Sequence, residues 1–110
     1  MIEVHHGPVR FRYGLTGSSV DARHARCLTG LWLDEAHAGS GSGGGGALLD
    51  DYHGVLTTRG ATWRRGPPRM PSRPPVAAIE VLRLPLARDR RLIDTILEIA
   101  LYFDARGRET

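Results

Sequence analysis

The sequence predicts an α+β domain: a small mixed or antiparallel sheet with helices packed on one of its faces. Three observations lead there. Residues 2–13 alternate apolar and polar side chains. Residues 76–84 form a short, nearly continuous apolar run. Residues 89–106 carry a wide apolar stripe at helical spacing. A chain of 110 residues suits one domain, and a hydrophobic share of 41% is enough for a core. Aromatic residues are only 6%, so aliphatic side chains must fill that core.

The elements follow in order. Ile2, Val4 and His6 alternate with Glu3 and His5, and Gly7-Pro8 breaks the run. Val9, Phe11 and Tyr13 then alternate with Arg10 and Arg12. This is a hairpin with its arginines on the wet face. Ser18 or Ser19 can cap a helix, with Asp21 near its positive end. Val20, His24, Leu28, Leu31 and Trp32 share one stripe, which predicts a helix over about 19–36. Gly30 interrupts it at about 1 kcal/mol, and Leu28–Leu33 reads equally well as a short strand.

Residues 39–46 are all glycine or serine. Such a run buries no apolar surface and has the composition of an engineered flexible connector. It divides a single domain into blocks 1–38 and 47–110. A trimmed loop, a fusion and a circular permutation would each leave this mark. Beyond it, Leu48, Tyr52, Val55 and Leu56 sit at helical spacing. Gly54 and Thr57-Thr58 argue for extended chain soon after, with a hairpin of Val55–Thr58 and Ala61–Arg64 around Arg59-Gly60. Residues 66–75 are mostly proline and glycine and read as a loop.

Residues 76–84 read as a central strand ended by Pro85. Residues 89–106 read as a helix led by Asp89. Ile93, Ile96, Leu97, Ala100 and Leu101 form its stripe, widened by Leu92, Ile99 and Phe103, and Gly107 stands ready for a left-handed C-terminal cap. So wide an arc also predicts a second contact through Tyr102 and Phe103. An oligomerisation or assembly role for 89–106 is therefore one candidate function.

Composition excludes several chemistries. Cys27 is the one cysteine, so no intramolecular disulfide and no cysteine-based zinc site can form. All 15 basic side chains are arginine. Such usage fits a GC-rich, bacterial coding sequence. Without lysine there is no Schiff base and no phosphate-binding loop of the P-loop kind. The Asp34-Glu35-Ala36-His37 string matches a helicase motif in letters only, since that machinery needs the missing lysine. No leader segment and no membrane-spanning stretch is evident, so a cytoplasmic protein without membrane contact is expected. No cofactor is expected.

The strongest functional signal is basic. Residues 57–76 hold no acidic side chain, while Arg59, Arg64, Arg65, Arg69 and Arg73 are present with Trp63. Guanidinium forks grip phosphates and carboxylates, and an indole can stack on a base. Arg10 and Arg12 would extend the patch. The expected function is a non-enzymatic interaction domain that contacts an acidic protein or a nucleic acid through loop 59–75. Basic-PxxP strings within it resemble polyproline ligands of SH3-type domains.

A competing class is a small enzyme or metal-dependent domain. Asp-x-x-His occurs at Asp21/His24, Asp34/His37 and Asp50/His53, a spacing that places both groups on one helical face. Metal is not favoured; Asp34, His37, Asp50 and His53 are the weak candidates. His24 lies three residues before Cys27, which allows a Cys–His nucleophile. The simpler reading of these residues is capping aspartates, solvated histidines and a thiol that packs as a small hydrophobe.

Overall fold

A computed structural model describes residues 1–23, 27–37, 44–69 and 76–110. His24, Arg73, the later part of the PxxP strings (70–75) and most of the Gly/Ser run lie outside these residues. The α+β class is observed. Five strands form one antiparallel sheet in the order β2-β1-β5-β4-β3, with β1 at Ile2–His5, β2 at Arg10–Tyr13, β3 at Thr62–Gly66, β4 at Ala78–Leu86 and β5 at Thr95–Phe103. Helices α1 (Ser18–Arg23), α2 (Leu33–Ala36) and α3 (Gly44–Thr58) lie between β2 and β3 in the chain.

The N-terminal alternation produces the expected hairpin. Ile2 pairs with Tyr13 and Val4 with Phe11. All four side chains are buried and point to one face, while Arg10 and Arg12 point to the other. Gly7 takes φ +84 in the connection, where a side chain would be strained.

The helix expected over 19–36 is two short helices. Between them the chain turns at Gly30 (φ +87), whose N–H donates to the Tyr13 carbonyl at 2.7 Å. The Tyr13 N–H donates to the Leu31 carbonyl at 2.8 Å. This segment satisfies the free edge of β2, and a continuous helix would leave those groups unpaired. Leu28 and Leu33 still reach the core, at 0% and 1% exposure.

Helix α3 departs from expectation at both ends. Gly44–Gly46 form its first turn, so the glycine run is partly structured. The hairpin placed over Val55–Thr58 is absent, because the helix continues to Thr58 and Arg59 turns the chain with φ 55. Leu48, Tyr52 and Val55 lie on one stripe and are buried against the sheet. That burial outweighs the weak helix propensity of Gly54 and the threonines.

The expected strand 76–84 is shifted to 78–86 and runs through Pro85. β3 pairs with β4 only as far as Arg83. Beyond that point β4 has one neighbour, so a residue without an N–H is tolerated.

The helix expected over 89–106 is overturned: its centre is strand β5, paired with β4 from Thr95↔Leu86 to Phe103↔Ala78. The wide apolar arc is two strand faces read as one helix. Ile96, Glu98, Ala100 and Tyr102 face the helices, while Leu97, Ile99, Leu101 and Phe103 face away. The terminal signals are real but serve turns. Asp89 accepts from the N–H groups of Arg91 and Leu92 within the β4–β5 connection, and Gly107 takes φ +78 in a turn after β5. Among the described residues, no helix is long and apolar enough to cross a membrane.

Candidate anion-binding pocket

The inner face of the sheet is apolar on the β2-β1 side and polar on the β4-β3 side. Ile2, Val4, Phe11, Tyr13 and Ile96 pack against Leu28, Leu33, Leu48, Tyr52 and Val55 to form the core. Next to this core, α1 and α3 leave a pocket of about 150 Å³ over β3, β4 and β5. Val20, Leu48, Ile79, Val81 and Ala100 supply much of its apolar lining. Arg64, Arg69, Arg83, Glu98 and Tyr102 supply polar groups.

A buried ion pair organises the polar side. Arg83 is 5% exposed. Its Nε donates to Glu98 Oε1 at 3.0 Å, and its Nη2 lies 2.9 Å from the same oxygen. The Tyr52 hydroxyl donates to Glu98 Oε2 at 2.8 Å. The Arg83 guanidinium lies 4.6 Å from the centre of the Tyr52 ring. Burial opposes the charge on Arg83, but Glu98, Tyr52 and Asp51 outweigh it and raise its pKa. The Tyr52 hydroxyl is pushed well above the usual phenol range, first by burial and then by Glu98. Asp51 bridges outward: its carboxylate accepts from Arg69 Nε at 3.1 Å and lies 3.9 Å from Arg83 Nη1.

Arg64 is the exception in this network. No carboxylate lies within ion-pair distance of it among the described residues, and residues 70–75 contain no acid. Its Nη2 donates to the Pro67 carbonyl. Its pKa is lowered, first by burial and then by repulsion from Arg69, which attraction to Asp51 only partly offsets. Three guanidinium groups meet two carboxylates here, Glu98 and Asp51, which leaves one positive charge in excess.

The basic stretch is divided by its own alternation. Arg64 faces the pocket, whereas Trp63 and Arg65 face the opposite side of the sheet. Trp63 Nε1 donates to Glu80 Oε1 at 2.8 Å, and the Arg65 guanidinium lies 5.0 Å from the Phe103 ring centre. Arg59 donates to the Arg91 carbonyl at 2.8 Å. Arg10 and Arg12 are on β2, the edge strand opposite β3, so they do not extend the patch. Arg10 stacks over Trp32 at 4.1 Å and makes a two-pronged contact with Asp34 at 2.8 and 3.0 Å. That contact holds the Asp34 carboxyl below the usual range.

The described metal candidates do not converge, and His24, the partner expected for Cys27, lies outside the described residues. Asp34 is engaged by Arg10, while buried His37 lies 2.7 Å from the Tyr13 hydroxyl through Nε2. Asp50 and His53 are exposed, with the His53 ring 5.0 Å from Phe11. Cys27 is exposed. Among the described residues, no group of three or more His, Cys, Asp or Glu side chains is placed to hold a metal ion.

Sequence reasoning found Arg64 and Arg69 and missed Arg83, Glu98, Tyr52 and Asp51. A signal existed for two of them: Arg83 and Glu98 are lone charges inside apolar runs, a pattern rarely buried without a partner. No family model, no curated protein and no solved structure matches this chain.

Proposed function

We propose that the chain is a non-enzymatic binding domain that seats one anionic group against Arg64 and Arg69, with the ligand's apolar body in the adjoining pocket. The supporting observation is Arg64: a partly buried guanidinium with no carboxylate at ion-pair distance among the described residues, in a pocket with one positive charge in excess. A bound anion relieves the repulsion from Arg69 and Arg83 and gains charge-assisted hydrogen bonds. Arg83 is committed to Glu98 and shapes the site. The volume, about 150 Å³, is in the class of cavities that take up a single ring. A small aromatic or branched aliphatic carboxylate or phosphate monoester fits these terms.

Calorimetric titration tests the reading with benzoate, phenyl phosphate, neutral benzamide and a short single-stranded oligonucleotide. Benzoate or phenyl phosphate should bind and benzamide should not. Arg64→Gln should weaken the anion by about tenfold or more. Equal binding of benzamide, or anion binding unchanged in Arg64→Gln, refutes the proposal. Oligonucleotide binding far tighter than either small anion, with a steep salt dependence, would favour the wider reading of stretch 59–75 as a nucleic-acid contact.

A further inference from the structure

The face of the sheet turned away from the helices is apolar over three adjacent strands. Ile99 is 52% exposed, Leu97 41%, Leu101 40%, Leu86 49% and Trp63 62%. Register places Leu82 beside Ile99 and Leu84 beside Leu97, with Trp63 next to Leu82 on β3. The other half of this face is dressed differently. Over β1 and β2, Trp32 lies against Arg10 and His5, among Glu3 and Arg12. The open region is therefore confined to β5, β4 and β3.

We infer that this face joins two copies of the chain, packed sheet against sheet. Its charge points to a second copy. The chain carries a net charge of +3, yet the charged side chains of β3–β5 on this face are Arg65 and Glu80, cross-strand neighbours that cancel. An acidic partner finds no excess positive charge here, since the unbalanced arginine lies on the opposite face. A neutral apolar surface is complementary to itself, and like-charged chains can meet there without repulsion.

Size sets the strength of the contact. β4 and β5 are nine residues each and β3 is five; at about 3.3 Å per residue and about 4.8 Å between strands they present roughly 370 Å² of flat area. That is about half of the ~800 Å² per partner in a standard interface, so the pair belongs to the weak, concentration-dependent class. The backbone groups of β4 and β5 that face each other are paired in the ladder from Thr95↔Leu86 to Phe103↔Ala78, so face-to-face closure leaves that ladder intact. Each copy keeps its pocket on the outside of the pair.

Light scattering of the full chain over a wide concentration range is the test. The expected mass is twice the 12.1 kDa of one chain. Ile99→Glu puts a carboxylate at the centre of the contact and should raise the dissociation constant about a hundredfold or more. Leu101→Ser is the gentler second variant, with a weakening of about tenfold, and serves if Ile99→Glu does not fold. Far-UV circular dichroism checks folding of both. A monomer at every concentration overturns the inference, as does a dimer whose affinity is unchanged in the folded variants.

Discussion

Glu98→Ala should be among the most destabilising single substitutions in this chain. Glu98 accepts hydrogen bonds from Arg83 Nε at 3.0 Å and from the Tyr52 hydroxyl at 2.8 Å. Without it, Arg83 is left, among the described residues, with Asp51 at 3.9 Å and with Tyr52, whose ring centre lies 4.6 Å away. The Arg83 side chain is 6% exposed, so water replaces the lost partner poorly. Breaking a buried ion pair from one side costs about 3–5 kcal/mol. An orphaned hydroxyl costs about 1–3 kcal/mol, and the two overlap because they share one carboxylate. A total near 3–5 kcal/mol is a fifth or more of the 5–15 kcal/mol typical of a domain, or about 15 °C in the unfolding midpoint.

The control removes Arg83, Glu98 and the Tyr52 hydroxyl together. Arg83→Met/Glu98→Leu/Tyr52→Phe should lie within about 2 kcal/mol of the parent, because apolar side chains of similar volume need no partner. Urea unfolding at one protein concentration, followed by tryptophan fluorescence and circular dichroism, measures both. A loss below about 1 kcal/mol for Glu98→Ala, or a triple variant less stable than the single, would refute the reasoning.

Three further outcomes are expected. Leu28→Ala should cost about 2–5 kcal/mol by urea unfolding, since Leu28 is fully buried despite lying outside any helix; Leu15→Ala, at 75% exposure, should stay within about 0.5 kcal/mol. Gly54→Ala should stabilise by about 0.5–1 kcal/mol, because a Cβ meets nothing within 4 Å on this helical glycine, whereas Gly30→Ala should destabilise by a similar amount or more, its φ of +87 being strained for alanine; midpoints of opposite sign in a thermal scan check this pair. The Asp94 carboxylate accepts from the Arg88 N–H and the Thr95 hydroxyl, and these bonds hold its pKa below the ordinary 3.8. A depressed folded-state pKa stabilises at pH above the unfolded value and loses that contribution as pH falls through the folded one. The midpoint advantage of the parent over Asp94→Asn should therefore shrink on acidification below about pH 4, and a constant difference across that range would count against the bonds.

Where one face of an element was buried and the other wet, the pattern was legible. The hairpin of β1 and β2 follows from the alternation of Ile2, Val4, Phe11 and Tyr13 with arginines and Glu3. Leu48, Tyr52 and Val55 marked a helical stripe. Segment 89–106 was misleading because both its faces are apolar. Period two and period 3.6 then fit the same letters, and only pairing with β4 separates them. Gly30 looked like a flaw in a helix and is instead the turn that closes the edge of β2.

The amino-acid sequence alone determined the α+β class, the N-terminal hairpin and the absence of lysine chemistry and disulfides, because these rest on local alternation and on composition. It also marked Arg64 and Arg69 as an anion contact to be tested. Tertiary structure decided which arginines meet. Alternation along β3 sends Arg64 inward and Arg65 outward, and the sheet order sets Arg10 and Arg12 on the far edge. It also brought Arg83 and Glu98, fifteen positions apart, into one buried pair. Strand register makes such pairs, and register depends on contacts distant in sequence that no local window contains.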